Sequence, residues 1–162
     1  MVAAAAALVE KSARLSTRQW EGAAGVLEQA HALRLKCFDL IEEDAQAYID
    51  FVAAVRTAKE LPGAASEEAV ATAHARTVDV PLRMTRAAAE VAELAVQLAR
   101  LGNPNLRADA VVAAILAAAA AESGLTLISV NLGDADDARL SVAEKLARTA
   151  TGLSLSIRPR DS

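Results

Sequence analysis

Asp44 and Tyr48 stand four residues apart in the stretch LIEEDAQAYIDF (residues 40–51), inside a segment patterned as an amphipathic helix. The stripe at three-and-four spacing reads Val26, Ala30, Leu33, Cys37, Ile41, Asp44, Tyr48, Val52 and Val55, apolar or aromatic everywhere but at Asp44. A carboxylate on a core-facing stripe costs stability unless it is paired, hydrogen-bonded or protonated. Two readings follow: a buried acid hydrogen-bonded to a neighbouring helix, or a carboxyl whose burial raises its pKa and fits it to carry protons. Other candidates are weaker. Asp109 falls in the first turn of a predicted helix, where the helix dipole favours a carboxylate. Asn103 and Asn105 flank Pro104 in a turn, and Asn131 is an amide donor or a helix terminator. Arg83 and Arg86 would hold an anionic group or form a solvated basic face. Taken alone, these residues name no reaction.

The elements that must position them are helices. Of the 162 residues, 54% are hydrophobic but only 2% aromatic, and much of the apolar content is alanine, the best helix former. A first helix is expected to about Leu15, and Ser16 with Gln19 has the form of a capping box opening a second that runs to about Lys59. Pro62 and Gly63 break the chain, and Ser66 is placed to cap a third helix, roughly Glu67 to Leu101, kinked or split at Pro81. GNPN (102–105) ends it. A fourth helix from about Leu106 to Glu122 is apolar nearly all round and expected to be the most buried. The stretch SGLTLISVNLGDADD suits an extended piece or a continuing helix, and a last helix covers about Asp136 to Thr151 before a tail expected to fray from about residue 152. Short connections favour an all-α, up-and-down antiparallel bundle of about five helices in one domain, residues 1–162.

Composition bounds the function classes. A net charge of −4 with scattered basic residues argues against nucleic acid. One cysteine, Cys37, excludes an internal disulfide and a cysteine-based zinc site. His31 and His74 sit on different helices and read as surface or satisfied core residues rather than a metal or catalytic pair. The N-terminal segment lacks the basic region of a signal peptide, and the apolar run ADAVVAAILAAAAA is short of the ~20 residues of a membrane span, so a soluble, cytoplasmic protein is expected. So few bulky side chains leave a lone monomer little to bury, which points to a dimer.

The order of the motifs carries more than any one of them. LIEEDAQAY, then LP, VPL inside a helix, LGNPNLRADAVVAA and ISVNL together resemble the cyclodeaminase/cyclohydrolase family of folate enzymes, from about Met1 to Asp137. The resemblance implies a dimeric helical bundle and a tetrahydrofolate derivative as substrate, with no metal or redox cofactor. It assigns the catalytic acid to Asp44 and substrate contacts to Tyr48, Arg56, Asn103, Asn105, Asp109 and Asn131. The reaction it implies is either cyclodeamination, in which N10 closes on a formimino carbon and ammonia leaves, or hydrolysis of a methenyl bridge.

The sequence also departs from that family. The glycine-rich turn ahead of the first helix has no counterpart in MVAAAAALVE, where Met1-Val2 matches an internal part of that helix. RLSTRQW replaces a basic segment, Arg56 takes the place of a lysine and is followed by about one extra helical turn, and Leu127 and Ala108 replace an asparagine and a serine. Two classes of function therefore stand. One is a divergent folate cyclodeaminase or cyclohydrolase, or the same cleft acting on another imine or amidine. The other is a non-catalytic helical dimer serving as a binding or scaffold protein.

Overall fold

A computed structural model describes residues 1–158. Five helices follow in order: α1 (Val2–Arg14), α2 (Ala23–Glu60), α3 (Ala64–Leu101), α4 (Arg107–Leu132) and α5 (Ala138–Ile157), with a 3-10 turn at Pro104–Leu106 before α4. Side-chain pairs across neighbours run in opposite numerical directions, as antiparallel packing requires. Glu43 meets Arg83 and Asp50 meets Arg76 between α2 and α3, and Glu10 meets Arg34 between α1 and α2.

The central helix is α3, which packs on all four others. The expectation that α4 is most buried fails for a simple reason. Its alanine face lies on α3, α5 and α1, while Val112, Ile115, Leu127 and Val130 face outward. Pro104–Leu132 is long and apolar enough to cross a membrane, longer than the apolar run alone suggested. Half of its most apolar window lies inside the bundle.

Gly124 shows how close α3 and α4 come. A Cβ there would sit 2.1 Å from Thr85 Oγ1, a fully buried hydroxyl that donates back to the Pro81 carbonyl at 2.8 Å. This approach explains a glycine in mid-helix, and SGLTLISVNL continues α4 to Leu132 instead of turning extended. At the far end, Asp137 caps α5 by accepting from the Arg139 backbone N–H, and the helix runs to a buried Ile157. The expected fraying from residue 152 is thus absent through Ile157, and residues 159–162 lie outside the described part.

Two local expectations change and a third is narrowed. Ser16 does not open α2, which starts at Ala23; its hydroxyl donates to Ser12 O and accepts the Asn103 N–H, tying the end of α1 to the turn before α4. Ser66 is likewise inside α3, donating to the carbonyls of Leu61 and Gly63. Of the two outcomes expected at Pro81, the split is absent: α3 passes through it as one 38-residue helix.

Candidate active site

Both α2 and α4 pack on α3 and on α1 but hardly on each other. The short α1 covers α3 toward the end where the 102–106 turn lies, as its Lys11–Asp109 and Glu10–Arg34 pairs show. Toward the opposite end a cleft of about 450 Å3 opens, with Asp44, Tyr48 and Phe51 from α2, His74, Thr77 and Pro81 from α3, and Leu127, Val130 and Asn131 from α4.

The buried stripe of α2 follows the expected line through Val26, Ala30, Leu33 and Cys37, then runs one position off it at Leu40 and Ala47, and Ile41, Tyr48 and Val52 are exposed. Asp44 continues that buried line at three-and-four spacing, between Leu40 and Ala47, both fully buried. Its half-buried carboxyl forms no hydrogen bond or ion pair among the described residues, and burial alone raises its pKa above the ordinary carboxylate value. Tyr48 stands at the lip, 66% exposed. Deeper in, the Phe51 and His74 rings lie 5.5 Å apart, tilted by 51°.

The other wall is built around a proline. Pro81 has no N–H, so the Thr77 carbonyl loses the partner that residue i+4 of a helix supplies. Asn131 replaces it: its side-chain amide donates to Thr77 O at 2.7 Å. Asn131 O, in the last turn of α4, lacks a helical partner of its own and accepts from His74 Nε2 at 2.8 Å. Since a carbonyl only accepts, Nε2 carries a proton. The two bonds clamp α4 to α3 across the cleft floor.

The structure thus brings Asp44, Tyr48 and Asn131 together. Arg56 lies two turns beyond Tyr48, in an exposed groove with Tyr48, Ile49, Val52 and Ala53, and donates to Glu60 at 3.2 Å. Asn103, Asn105 and Asp109 are at the other end. Asp109 is about 33 Å from Asn131 along a helix rising ~1.5 Å per residue. There Asn103 accepts the Asn105 N–H at 3.0 Å and donates to Leu15 O, and Asp109 pairs with Lys11 at 2.7 Å. Arg83 is paired with Glu43, and Arg86 is exposed. A groove of similar size, about 490 Å3, lies between α2 and α3, with Gln29, Lys36, Glu90, Glu93 and Gln97 around a floor of Leu33 and Leu94. Among the described residues no three His, Cys, Asp or Glu side chains are grouped to hold a metal.

Phe51 and His74 are site residues that the reading of the sequence passed over. Phe51 carried a signal in its spacing from Asp44, whereas His74 is placed at the site only by its partners on other helices. Residues 44, 48 and 51 share a face of one helix, as do 74, 77 and 81.

An all-helical bundle with an acid-containing cleft between three helices defines the class, and the comparisons give its family. The family described as formiminotransferase-cyclodeaminase matches residues 1–150, so the chain belongs to that family. Among solved structures, that of formiminotetrahydrofolate cyclodeaminase from Thermotoga maritima is similar at 23% identity, covering 96% of this chain and 81% of that one, with a TM-score of 0.83. At that identity the likeness is one of fold. No curated protein matches the chain.

Proposed function

We propose that this chain is a folate one-carbon enzyme that interconverts formimino-, methenyl- or formyl-tetrahydrofolate in the cleft between α2, α3 and α4, with Asp44 as the proton shuttle. One observation carries the reading: a half-buried carboxyl without a partner among the described residues, its pKa raised by burial, faces a cleft beside aromatic side chains. An acid raised above its ordinary range is better suited to carry a proton, and its negative charge opposes the positive charge of an amidinium-like carbon. Tyr48 and Phe51 offer rings against which a flat pterin stacks. Holding N10 against the formimino carbon supplies much of the rest of the acceleration. Arg56, at the open end of the groove, suits an anionic tail of the substrate.

The reading includes a homodimer. Phe38, Ile41, Ala45, Tyr48 and Val52 form an exposed seam on α2 at the spacing helices use to pair, with Ile49 alongside. A second copy, related by a two-fold axis across such a seam, offers a route by which Asn103, Asn105 and Asp109 of one chain approach the cleft of the other. The alternative, a non-catalytic dimer of the same fold, draws support from the internal hydrogen bonds that already occupy Asn131 and Asn103.

The test is turnover of 5-formimino- and 5,10-methenyl-tetrahydrofolate, followed by the methenyl absorbance. Wild type is expected to turn over at least one of them. Asp44→Asn is expected to lose at least a hundredfold in rate with helix content and oligomer size unchanged. Equal activity in the variant removes Asp44 from the mechanism. Inactive, well-folded wild type favours the non-catalytic dimer.

A further inference from the structure

We propose that His74 is the second acid–base group of the cleft, acting through Nδ1 while Nε2 is held by the Asn131 carbonyl; this rests on the folate reading above. The geometry has three parts. His74 and Asp44 both line the cleft but rise from different helices. Phe51, the residue in ring contact with His74, lies two turns beyond Asp44 on α2, so about 10 Å of helix separates the two levels at ~1.5 Å per residue. The Nε2 donation to Asn131 O fixes the neutral ring with its lone pair on Nδ1, and Nδ1 forms no hydrogen bond among the described residues. A backbone carbonyl that holds one ring nitrogen and leaves the other free is the arrangement that orients an imidazole base.

The chemistry moves two protons, one off N10 and one onto the departing amine. N10 attacks the protonated formimino carbon, the N10–C bond forms, and the C=N π electrons move onto the departing nitrogen. N10 then gives its proton to His74 Nδ1. The protonated Asp44 carboxyl delivers its proton to the amine, the C–N bond breaks, and ammonia leaves as the lone pair of an adjacent ring nitrogen restores the amidinium. The substrate cation becomes the methenyl cation plus ammonia; Asp44 ends as the carboxylate and His74 as the imidazolium. Solvent returns one proton and removes the other. Both nitrogens are bound to one carbon, so the two side chains reach toward a common centre from different levels and divide the work that one carboxylate would otherwise do in succession. Around His74 the titratable groups of the cleft are Asp44 and Tyr48 from α2; α4 contributes only Leu127, Val130 and Asn131, and α3 only Thr77 and Pro81.

His74→Gln separates this role from a structural one, since glutamine can still donate to Asn131 O but has no basic nitrogen. Kinetics with 5-formimino-tetrahydrofolate are expected to show kcat down about a hundredfold or more, KM within a few-fold of wild type, and partial rescue by imidazole in solution. In the free protein, long-range nitrogen-15 NMR is expected to show neutral His74 as the Nε2–H tautomer. Active wild type with His74→Gln within twofold of its kcat overturns the His74 assignment and leaves the folate reading intact. A neutral Nδ1–H ring overturns it whatever the substrate. A folded wild type that turns over no folate sinks the folate reading first, and this one with it.

Discussion

Asn131 is expected to stabilise the bundle only because residue 81 is proline. Truncating it to alanine strands the carbonyl of the buried residue Thr77, part-buried at the cleft floor and with no helical N–H to accept from. Leaving a buried acceptor unsatisfied costs about 1–3 kcal/mol. A cost of ~2 kcal/mol lowers the melting temperature by roughly 4–8 °C in a chain of this size. Pro81→Ala restores an N–H four residues beyond Thr77, within the same continuous helix. In that background Asn131→Ala leaves no orphan carbonyl, and its cost is expected to fall by about 1–2 kcal/mol. The assay is a double-mutant cycle by urea denaturation at fixed protein concentration, on the single and double variants. Whatever Pro81→Ala does by itself cancels in the cycle. Additivity within about 0.3–0.5 kcal/mol would show that Asn131 does not substitute for the missing N–H, and the reasoning fails.

Gly124→Ala is expected to cost about 1–3 kcal/mol by overpacking against Thr85, and Thr85→Ala in the same chain to recover part of it; a neutral Gly124→Ala melt contradicts the close approach. Burial pushes the Glu10 carboxyl up, but the hydrogen bond and charge of Arg34, with His31 beside it, outweigh that and hold it below its ordinary value. Arg34→Met is expected to cost ~3 kcal/mol by urea denaturation, and Arg34→Met with Glu10→Gln much less. Asp137 is held at about 2 by hydrogen bonds from the Arg139 side chain and backbone N–H. Its folded pKa lies below the unfolded one, so its contribution is complete above the ordinary value of 3.8 and is lost as pH falls through about 2. Thermal melts from pH 6 down to 2 are expected to be less acid-sensitive in Asp137→Asn; an identical slope contradicts the assignment.

The punctuation of the chain was legible because it rests on local chemistry. Pro62 with Gly63 and the GNPN turn end α2 and α3 where backbone rules place the breaks. Whatever depended on a partner from another helix was not. Whether SGLTLISVNL continued the fourth helix stayed open because the partner that explains a glycine at 124, Thr85, is 39 residues away in sequence. Ser16 had the form of a cap, but its hydroxyl accepts from Asn103. At the site, Asp44 stood out because an acid interrupts an apolar period, which a single helix reveals. The stripe was drawn one residue off at Ile41 and still passed through Asp44, because the two lines rejoin there. A lone histidine carries no such mark, and His74 gains meaning only from Asn131 O and the Phe51 ring.

The most direct test is calorimetric titration of 5-formyl-tetrahydrofolate, a stable ligand of the proposed substrate class, into wild type and Asp44→Asn. Saturable binding to wild type, at least tenfold weaker in Asp44→Asn, is the expected result and ties the ligand to this cleft. No heat of binding up to millimolar ligand, from a protein that melts cooperatively, contradicts the account and leaves a family fold without a folate site.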